Sequence, residues 1–566
     1  MNDASRADYR ATLNLPVTDF PMKAELPKRE PGRVAWWNEQ RIYQRALERN
    51  AGAKPWVLHD GPPYANGELH MGHFLNMVLK DMFVKIALLE GRAARFVPGW
   101  DMHGLPIELE TLKHLGVKDF HEIDPLELRA KCKERALYWL DRQRSTRERM
   151  GVFAEFDRPY RTVDASFEAT IVEALATLAE REQLYRGLRA TLWCIHDETA
   201  LAEAEIEYEN KVSPSIYVRF RADETGRADL LSRFGYADGE RTPLSFLIWT
   251  TTPWTLPSNL SLAVGPDVEY VTVVPSEGPL AGERVLLAAA RLAAYARELG
   301  EEPEVVARVP GRELAGRRYA PVFDYFLGRR EELGERVWTV LTADYVSTED
   351  GTGIVHQAPA FGEDDMAVSA AAGIGTVVPV DDGGRFTIEV PDYAGSHVFE
   401  ANRAIIADLK QGTGALARRP EAERAVLVRQ ETYDHPYPHC WRCREPLIYK
   451  AVTSWFVRVT DFRGRMVGLN EQITWVPEHI KHGQFGKWLA GARDWSISRN
   501  RYWGTPIPVW VSDDPAYPRI DVYGSFAELE ADFGRLPLDR DGKPNLHRPY
   551  IDELTRPNPD DPKWCN

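Results

Sequence analysis

The chain has 566 residues, 44% apolar and 27% charged, with a formal net charge of −15. That length exceeds one hydrophobic core and calls for about two to four domains, while the acidic balance excludes a broad nucleic-acid-binding surface, because phosphate contacts need Lys or Arg. The start MNDASRADYR has no apolar signal region, no apolar run is long enough for a membrane span, and five cysteines make no disulfide framework; a reducing cytoplasm is the expectation.

Residues 1–50 read as an N-terminal arm. Pro16, Pro21, Pro27 and Pro31 punctuate an extended lead, and residues 34–49 carry Trp36, Trp37, Ile42, Tyr43 and Leu47 on a helical pattern. Then Trp56, Val57 and Leu58 predict a short buried strand, and GPPYANG at 61–67 is turn chemistry. From Leu69 onward Met71, Phe74, Leu75, Val78, Met82 and Ile86 recur at spacings of three and four, which predicts a helix burying that face. Strand, loop and helix start is the geometry in which open α/β sheets bind nucleotides, since the first helical turn offers unpaired N–H groups at the positive end of the dipole. Neither a G-x-G-x-x-G nor a G-x-x-x-x-G-K-[ST] pattern occurs in this stretch. Instead His70 and His73 flank Gly72 on one face of the first turn, either as plain helix-start residues or as donors to phosphate oxygens.

Residues 94–98 predict a second strand that delivers Gly99, Trp100 and Asp101 to its carboxyl end, where such sheets place ligands. Asp101 there either pairs with a cationic group or closes a turn. The stretch 131–149 carries Lys131, Lys133, Arg135, Arg142, Arg144, Arg147 and Arg149, a solvated helix face or a local nucleic-acid track. Residues 167–187 predict an amphipathic helix capped by Gly187.

From about 206 to 430 short strands and turns take over, as at 216–220 and 268–274, and this reads as an inserted β-rich domain. It holds Thr250, Thr251 and Thr252, whose hydroxyls β-propensity alone could explain, then Asn259, and later GTGIVHQAPAFGEDD with His356 and Asp365. The pair Cys440 and Cys443 is half of a tetrahedral metal site, which needs two further ligands; a metal-free knuckle is the alternative. Residues 454–457 predict a strand, and WSISRNRYWGTP at 495–506 brings Trp503 and Gly504 to a strand end, as core packing or as a pocket wall.

P-P-Y-A-N-G-x-x-H-x-G-H at 62–73, followed by P-G-W-D-M-H-G-L-P-I-E at 98–108, closely resembles the class I aminoacyl-tRNA synthetases, and within them the isoleucine-specific branch. The resemblance runs along almost the whole chain. It implies an α/β fold, a doubly wound parallel-sheet nucleotide-binding domain in two halves at 51–205 and 451–566. A β-rich editing domain at 206–430 and a zinc-knuckle-like segment at 431–450 would interrupt it. It implies ATP with Mg2+ at His70, Gly72 and His73, the two histidines holding phosphates as the catalytic groups. Pro62, Tyr64, Asp101, Trp503 and Gly504 would form the amino-acid site, with Asp101 on the α-amino group and Trp503 closing the side-chain pocket. Thr250, Thr251, Thr252, Asn259, His356 and Asp365 would form an editing site, in which a positioned water attacks the ester of mischarged tRNA while Asp365 grips the amino group. Cys194, Cys440 and Cys443 would hold Zn2+, with His196 or Asp197 as the fourth ligand.

Editing has a physical reason: an apolar pocket resolves one methylene by only about 1–3 kcal/mol, isoleucine against valine being the standard instance. Three departures from the family pattern stand out. Met102 replaces a Thr, Asp197 stands where a second Cys often does, and Ala360-Phe361 replaces Gly-His, so no role for a second histidine transfers. No K-M-S-K-S motif occurs, and the expectation is the first part of a longer ligase, a monomer acting on isoleucine, ATP and the tRNA for isoleucine. The rival readings are a valine- or leucine-specific relative, a stand-alone hydrolase of mischarged tRNA, and a silent tRNA-binding paralogue.

Overall fold

The computed structural model describes residues 12–14, 18–19, 23–234, 242–278 and 280–564. They fall into two compact units, Met1–Ala174 with Arg501–Asn566, and Leu175–Asn500. Among them no helix is long and apolar enough to cross a membrane. Pro16 and Pro21 lie outside the described residues.

In the first unit the single expected N-terminal helix is two helices, α1 Leu26–Glu39 and α2 Ile42–Arg49, separated where Arg41 adopts a φ of 49°. Pro27 and Pro31 are inside α1 and not in an extended lead; Pro27 sits in the first turn, where a missing N–H costs nothing. The parallel core is built from short pairings. β1 Gly99–Trp100 runs parallel to β2 Tyr160–Arg161, and single parallel bridges join Pro55 to Ala93 and Tyr64 to Asp101. Segments 55–64, 93–101 and 160–161 thus lie side by side in one direction, as an α/β fold requires, although 56–58 and 94–98 make no continuous ladder.

α3 Met71–Leu89 forms where the spacing places it but turns a different face inward. Met77, Val84, Ala87 and Leu88 are buried, whereas Met71 is 76% exposed and Phe74, Leu75, Met82 and Ile86 are also open. The helix is apolar around most of its circumference, so the period cannot choose the stripe. A polar anchor marks the inner side: the Lys80 ammonium meets the Asp60 carboxylate at 2.6 Å.

Asp60 gathers the unit around it. Its other carboxylate oxygen takes the Arg147 guanidinium at 2.9 Å and the Gly99 N–H at 3.1 Å, while its backbone carbonyl accepts from the Tyr160 hydroxyl at 2.7 Å. Asp60 and Arg147 are 2% and 1% exposed. After α4 Leu105–Leu115 comes α5 Pro125–Arg149, and Arg147 ends its inner stripe, which is Leu128, Cys132, Ala136, Leu140, Gln143 and Arg147. Its outward basic residues are engaged at home, Arg135 with Glu110 and Arg149 with Glu30, which is the behaviour of a solvated face.

In the second unit β3 Leu184–Cys194 runs through Gly187, so this glycine is a strand residue; the preceding helix, α6 Ala165–Glu180, ends earlier and the chain turns at Glu182 with φ 57°. β3 turns back into β4 Thr199–Ala200. A nine-stranded sheet follows, from β5 Ile206–Arg221, β6 Leu244–Thr250, β7 Ser261–Val264, β8 Glu269–Val274, β9 Arg284–Ala288, β10 Glu304–Pro310, β11 Val340–Thr342, β12 Ile354–Gln357 and β13 Val426–Cys440. Its order is β10-β8-β9-β6-β12-β7-β11. The central β6 is parallel to β9 and β12 and antiparallel to β5, whose far edge carries β13. Phe220, Phe246, Ile248, Leu262 and Leu286 fill the core on this sheet. β14 Ile448–Val457 pairs with β3 and with β15 Trp495–Ser496.

Replacing Asp60 with Ala strands Arg147 as an uncompensated buried charge, which should destabilise the first unit by about 3–5 kcal/mol. Urea unfolding followed by intrinsic fluorescence measures this, and a loss below about 1 kcal/mol would contradict the central place given to the pair.

Candidate functional site

The first candidate site opens at the amino end of α3. His70 caps the helix: its Nδ1 accepts the Gly72 N–H at 3.1 Å, and His73 Nδ1 accepts the His70 N–H at 3.3 Å. Both Nδ1 atoms act as acceptors, so each ring carries its proton on Nε2 and keeps that N–H as its remaining donor. The ring centroids are 3.8 Å apart. Burial, His70 and Arg147 hold His73 below the ordinary histidine range, which favours the neutral form. Gly72 leaves room for the His70 ring, since a Cβ there would come within 2.9 Å of it and push it from its capping position.

Asp101 lies next to this turn. Its N–H donates to the Pro63 carbonyl at 3.0 Å and its carbonyl accepts the Ala65 N–H at 2.8 Å, which sets Tyr64 beside Asp101 and leaves Pro62 at the entry of the loop. Gln143 of α5 clasps the loop through the Tyr64 and Gly67 carbonyls, at 2.9 and 2.8 Å. Trp503 joins the group: its indole N–H donates to the Met102 carbonyl at 2.6 Å and its backbone N–H to buried Glu108 at 2.7 Å. Glu108 in turn holds Arg501. The space where a Gly504 side chain would stand is open. Tyr64 and Asp101 therefore stand side by side, with Pro62 just before them in the loop, and Trp503 is tied to the neighbouring Met102 with Gly504 next along the chain.

The second candidate site lies at the carboxyl ends of the parallel neighbours β6 and β12. A cavity of about 520 Å³ is lined by Thr250, Thr251, Thr252, Thr255, His356 and Asp365, among others. His356 is fixed on both sides. Thr255 gives its proton to the Thr252 carbonyl at 2.8 Å, so its oxygen must accept from His356 Nε2 at 2.9 Å, while the Asn259 amide donates to Nδ1 at 2.9 Å. Tyr319 donates to the Asn259 oxygen at 2.7 Å and fixes the amide's orientation. His356 is thus a neutral pillar, and burial pushes its pKa down to about 3, which removes it as a proton acceptor. Asn259 is buried behind the histidine and does not line the cavity.

Asp365 sits in the first turn of the helix Glu363–Ala371 and accepts the Ala358 N–H at 2.9 Å and the Tyr345 hydroxyl at 3.4 Å. Burial pushes its pKa up to about 6, against the pull of those two donors. Phe361, in the place of the family's histidine, packs edge-on against Trp254 at 4.8 Å. Gly351 and Gly353, at φ 64° and 74°, turn the opposite wall, and the Tyr295 and Tyr270 hydroxyls hold their carbonyls.

A third cluster joins Cys194, Asp197, Cys440 and Cys443, whose ligand atoms all lie within 4.8 Å of one another. Cys194 Sγ is 3.5 Å from both Asp197 Oδ2 and Cys443 Sγ, and Cys440 Sγ is 3.6 Å from Asp197 Oδ2. Ligand atoms about a tetrahedral ion with bonds of about 2.3 Å stand about 3.8 Å apart, close to this spacing. The two turns match: Cys194-x-x-Asp197 and Cys440-x-x-Cys443 are each followed by a left-handed residue, Glu198 at φ 48° and Arg444 at φ 66°. Asp197 therefore occupies the position of a fourth cysteine. His196 is outside the cluster, and its Nδ1 lies 3.0 Å from the other Asp197 oxygen.

Sequence reasoning missed Asp60, Gln143, Glu108, Thr255, Tyr319 and Tyr345. Gln143 and Arg147 had a readable signal, because they continue the apolar stripe of α5 at the same spacing. Tyr319 and Tyr345 had none, since they reach their partners across long sequence distances.

A family model described as tRNA synthetases class I (I, L, M and V) matches residues 32–532. An isoleucine–tRNA ligase of Mycobacterium tuberculosis H37Rv is 49% identical over 546 residues, covering 95% of this chain and 50% of the relative. One from Bifidobacterium longum is 44% identical over 555 residues, covering 95% and 49%. The chain spans about half the length of these curated relatives. Among solved structures, a leucyl-tRNA synthetase of Agrobacterium radiobacter K84 in a ternary complex with tRNA covers 87% of this chain and 52% of its own, at 14% identity and a TM-score of 0.34.

Replacing Tyr345 with Phe removes a donor that favours the Asp365 carboxylate, so the Asp365 midpoint should rise above its value near 6. Carbon-detected carboxyl titration reads the shift; an unchanged or lower midpoint would contradict the geometry.

Proposed function

Because the chain belongs to the class I tRNA synthetases of the isoleucine, leucine, methionine and valine group, we propose that it carries isoleucine-specific ligase chemistry. This is ATP-dependent activation of isoleucine, transfer to its tRNA, and hydrolysis of tRNA mischarged with valine. The observation that carries the reading is the 49% identity to isoleucine–tRNA ligases over 95% of the chain. The site geometry supports it. The Nε2–H donors of His70 and His73 stand at a helix amino end, where phosphate charge is favoured and positioning with electrostatics does most of the work. In this reading Asp101, bridged to Tyr64, would take the ammonium of the amino acid, and Trp503 would give an apolar wall. ATP with Mg2+ is the nucleotide cofactor in this reading.

For editing, the Asp365 carboxylate would grip the α-ammonium of a misplaced aminoacyl ester, and the Thr250, Thr251 and Thr252 hydroxyls would hold the attacking water. Neutral His356 would only keep Thr255 and Asn259 in place. Cys194, Asp197, Cys440 and Cys443 would hold one Zn2+ as a structural cross-link.

Isoleucine should drive exchange of labelled pyrophosphate into ATP about 10–200-fold better than valine or leucine. Exchange driven equally by another amino acid, or absence of both exchange and deacylation, would sink the assignment. Hydrolysis of valyl-tRNA should fall as pH drops through about 6 and the Asp365 carboxylate gains a proton, and Asp365→Asn should lose about 10–100-fold at neutral pH. Metal analysis of the purified chain should find one zinc, lost in Asp197→Ala and kept in Asp197→Cys; a metal-free protein would refute the cross-link.

A further inference from the structure

Residues 501–504 form no regular element, yet three successive carbonyls there are each held by a separate group. Arg129 Nε donates to the Tyr502 carbonyl at 2.7 Å, the Gly104 N–H to the Trp503 carbonyl at 2.9 Å, and His547 Nε2 lies 3.0 Å from the Gly504 carbonyl. Arg129 also binds the Arg548 carbonyl, which ties the loop carrying His547 to the same place.

The surroundings of His547 decide its protonation. Its Nδ1 is 2.9 Å from the Asn545 side-chain oxygen, and the His547 backbone N–H donates to that same oxygen at 3.0 Å. The amide nitrogen of Asn545 supports the Asp539 carboxylate, so the amide cannot turn round without losing both contacts. Both ring nitrogens thus face oxygens that can only accept. A neutral ring leaves one nitrogen lone pair against an oxygen lone pair; the imidazolium satisfies both.

We propose that His547 is a positioning residue for the amino-acid pocket: as an imidazolium it clamps the Gly504 carbonyl and thereby fixes the Trp503 wall. Burial is the largest influence on His547 and holds its pKa below the ordinary histidine range; the Gly504 carbonyl and Glu168 favour the charged ring, and Arg129 and His103 oppose it, so the clamp is set on the acid side and loosens as pH rises. A cavity of about 650 Å³ lined by Trp503, Glu168 and His547 gives the ring a route to solvent protons. The effect on amino-acid binding rests on the proposed function; the clamp itself does not.

The test is a pair of measurements on the whole chain. In nitrogen-15 spectra from about pH 4 to about pH 8, both His547 ring nitrogens should pass from imidazolium to neutral shifts, with the change centred below the ordinary histidine value. The Trp503 indole resonance, identified by its loss in Trp503→Phe, should move with the same midpoint. His547→Gln supplies a donor that does not titrate, so the Trp503 movement should vanish in it. A Trp503 signal that ignores both pH and the substitution would overturn the clamp. Calorimetry with a non-hydrolysable isoleucyl-adenylate analogue should show affinity about fivefold weaker at the high-pH end in the parent and flat in His547→Gln, the difference between a charge-assisted and a neutral hydrogen bond. A parent affinity that does not change with pH would overturn the role in the pocket. Binding absent at every pH, with Trp503 still following His547, would refute the proposed function and leave the clamp standing.

Discussion

The first unit depends on a carboxylate that water never reaches. Asp60 precedes the loop that carries the candidate nucleotide site, and it binds α3 through Lys80, α5 through Arg147, β1 through the Gly99 N–H and β2 through the Tyr160 hydroxyl. Two cations on one buried carboxylate are costly to desolvate, and the cost is offset only while every partner is in place. The pairing therefore specifies geometry more than it adds stability. Move α5 and the loop at 61–67 goes with it, because Gln143, one turn from Arg147, clasps the Tyr64 and Gly67 carbonyls.

Histidine serves opposite ends in the two sites, and the hydrogen bonds decide which. At the start of α3 both rings accept backbone N–H groups through Nδ1, so each has one donor left for a ligand. In the cavity at β6 and β12 the ring has no capacity left, with Thr255 on one nitrogen and Asn259 on the other. The same residue type is a contact group in the first case and a strut in the second. Electrostatics reinforce the division, since burial holds His356 neutral and lifts Asp365 toward neutrality.

Local pattern made much of this legible in the sequence. The α3 helix and the strands within 206–221, 269–274 and 448–457 follow from periodicity, while the grouping of Thr250, Thr251 and Thr252 with His356 and Asp365, which line one cavity, was implied by the family resemblance alone. What the sequence hid was direction and distance. The outward face of α3 is as apolar as its inward face, and a Lys–Asp contact chose between them. Gly187 ends no helix, because the β3 partner β14 comes from more than two hundred residues away and makes that segment a strand. Asp60 could not be found by spacing, since its partners lie on four separate elements. Asp197 was ambiguous beside His196 until the backbone of its turn matched that of Cys440 and Cys443.

The long ribbon of β5 and β13 gives the cysteine cluster a reach beyond its own turns. Its ladder runs from Cys440 opposite Ile206 to Val426 opposite Arg219, and β5 then pairs with β6 up to Ile216 opposite Thr250. Where the ribbon has no third strand its register has less to hold it, and a slip of one residue turns every side chain to the other face. An ion gripping Cys440 and Cys443 alongside Cys194 and Asp197 would pin the register at one end. The threonines of the cavity would feel its loss at the other, as a phase error transmitted along the strands.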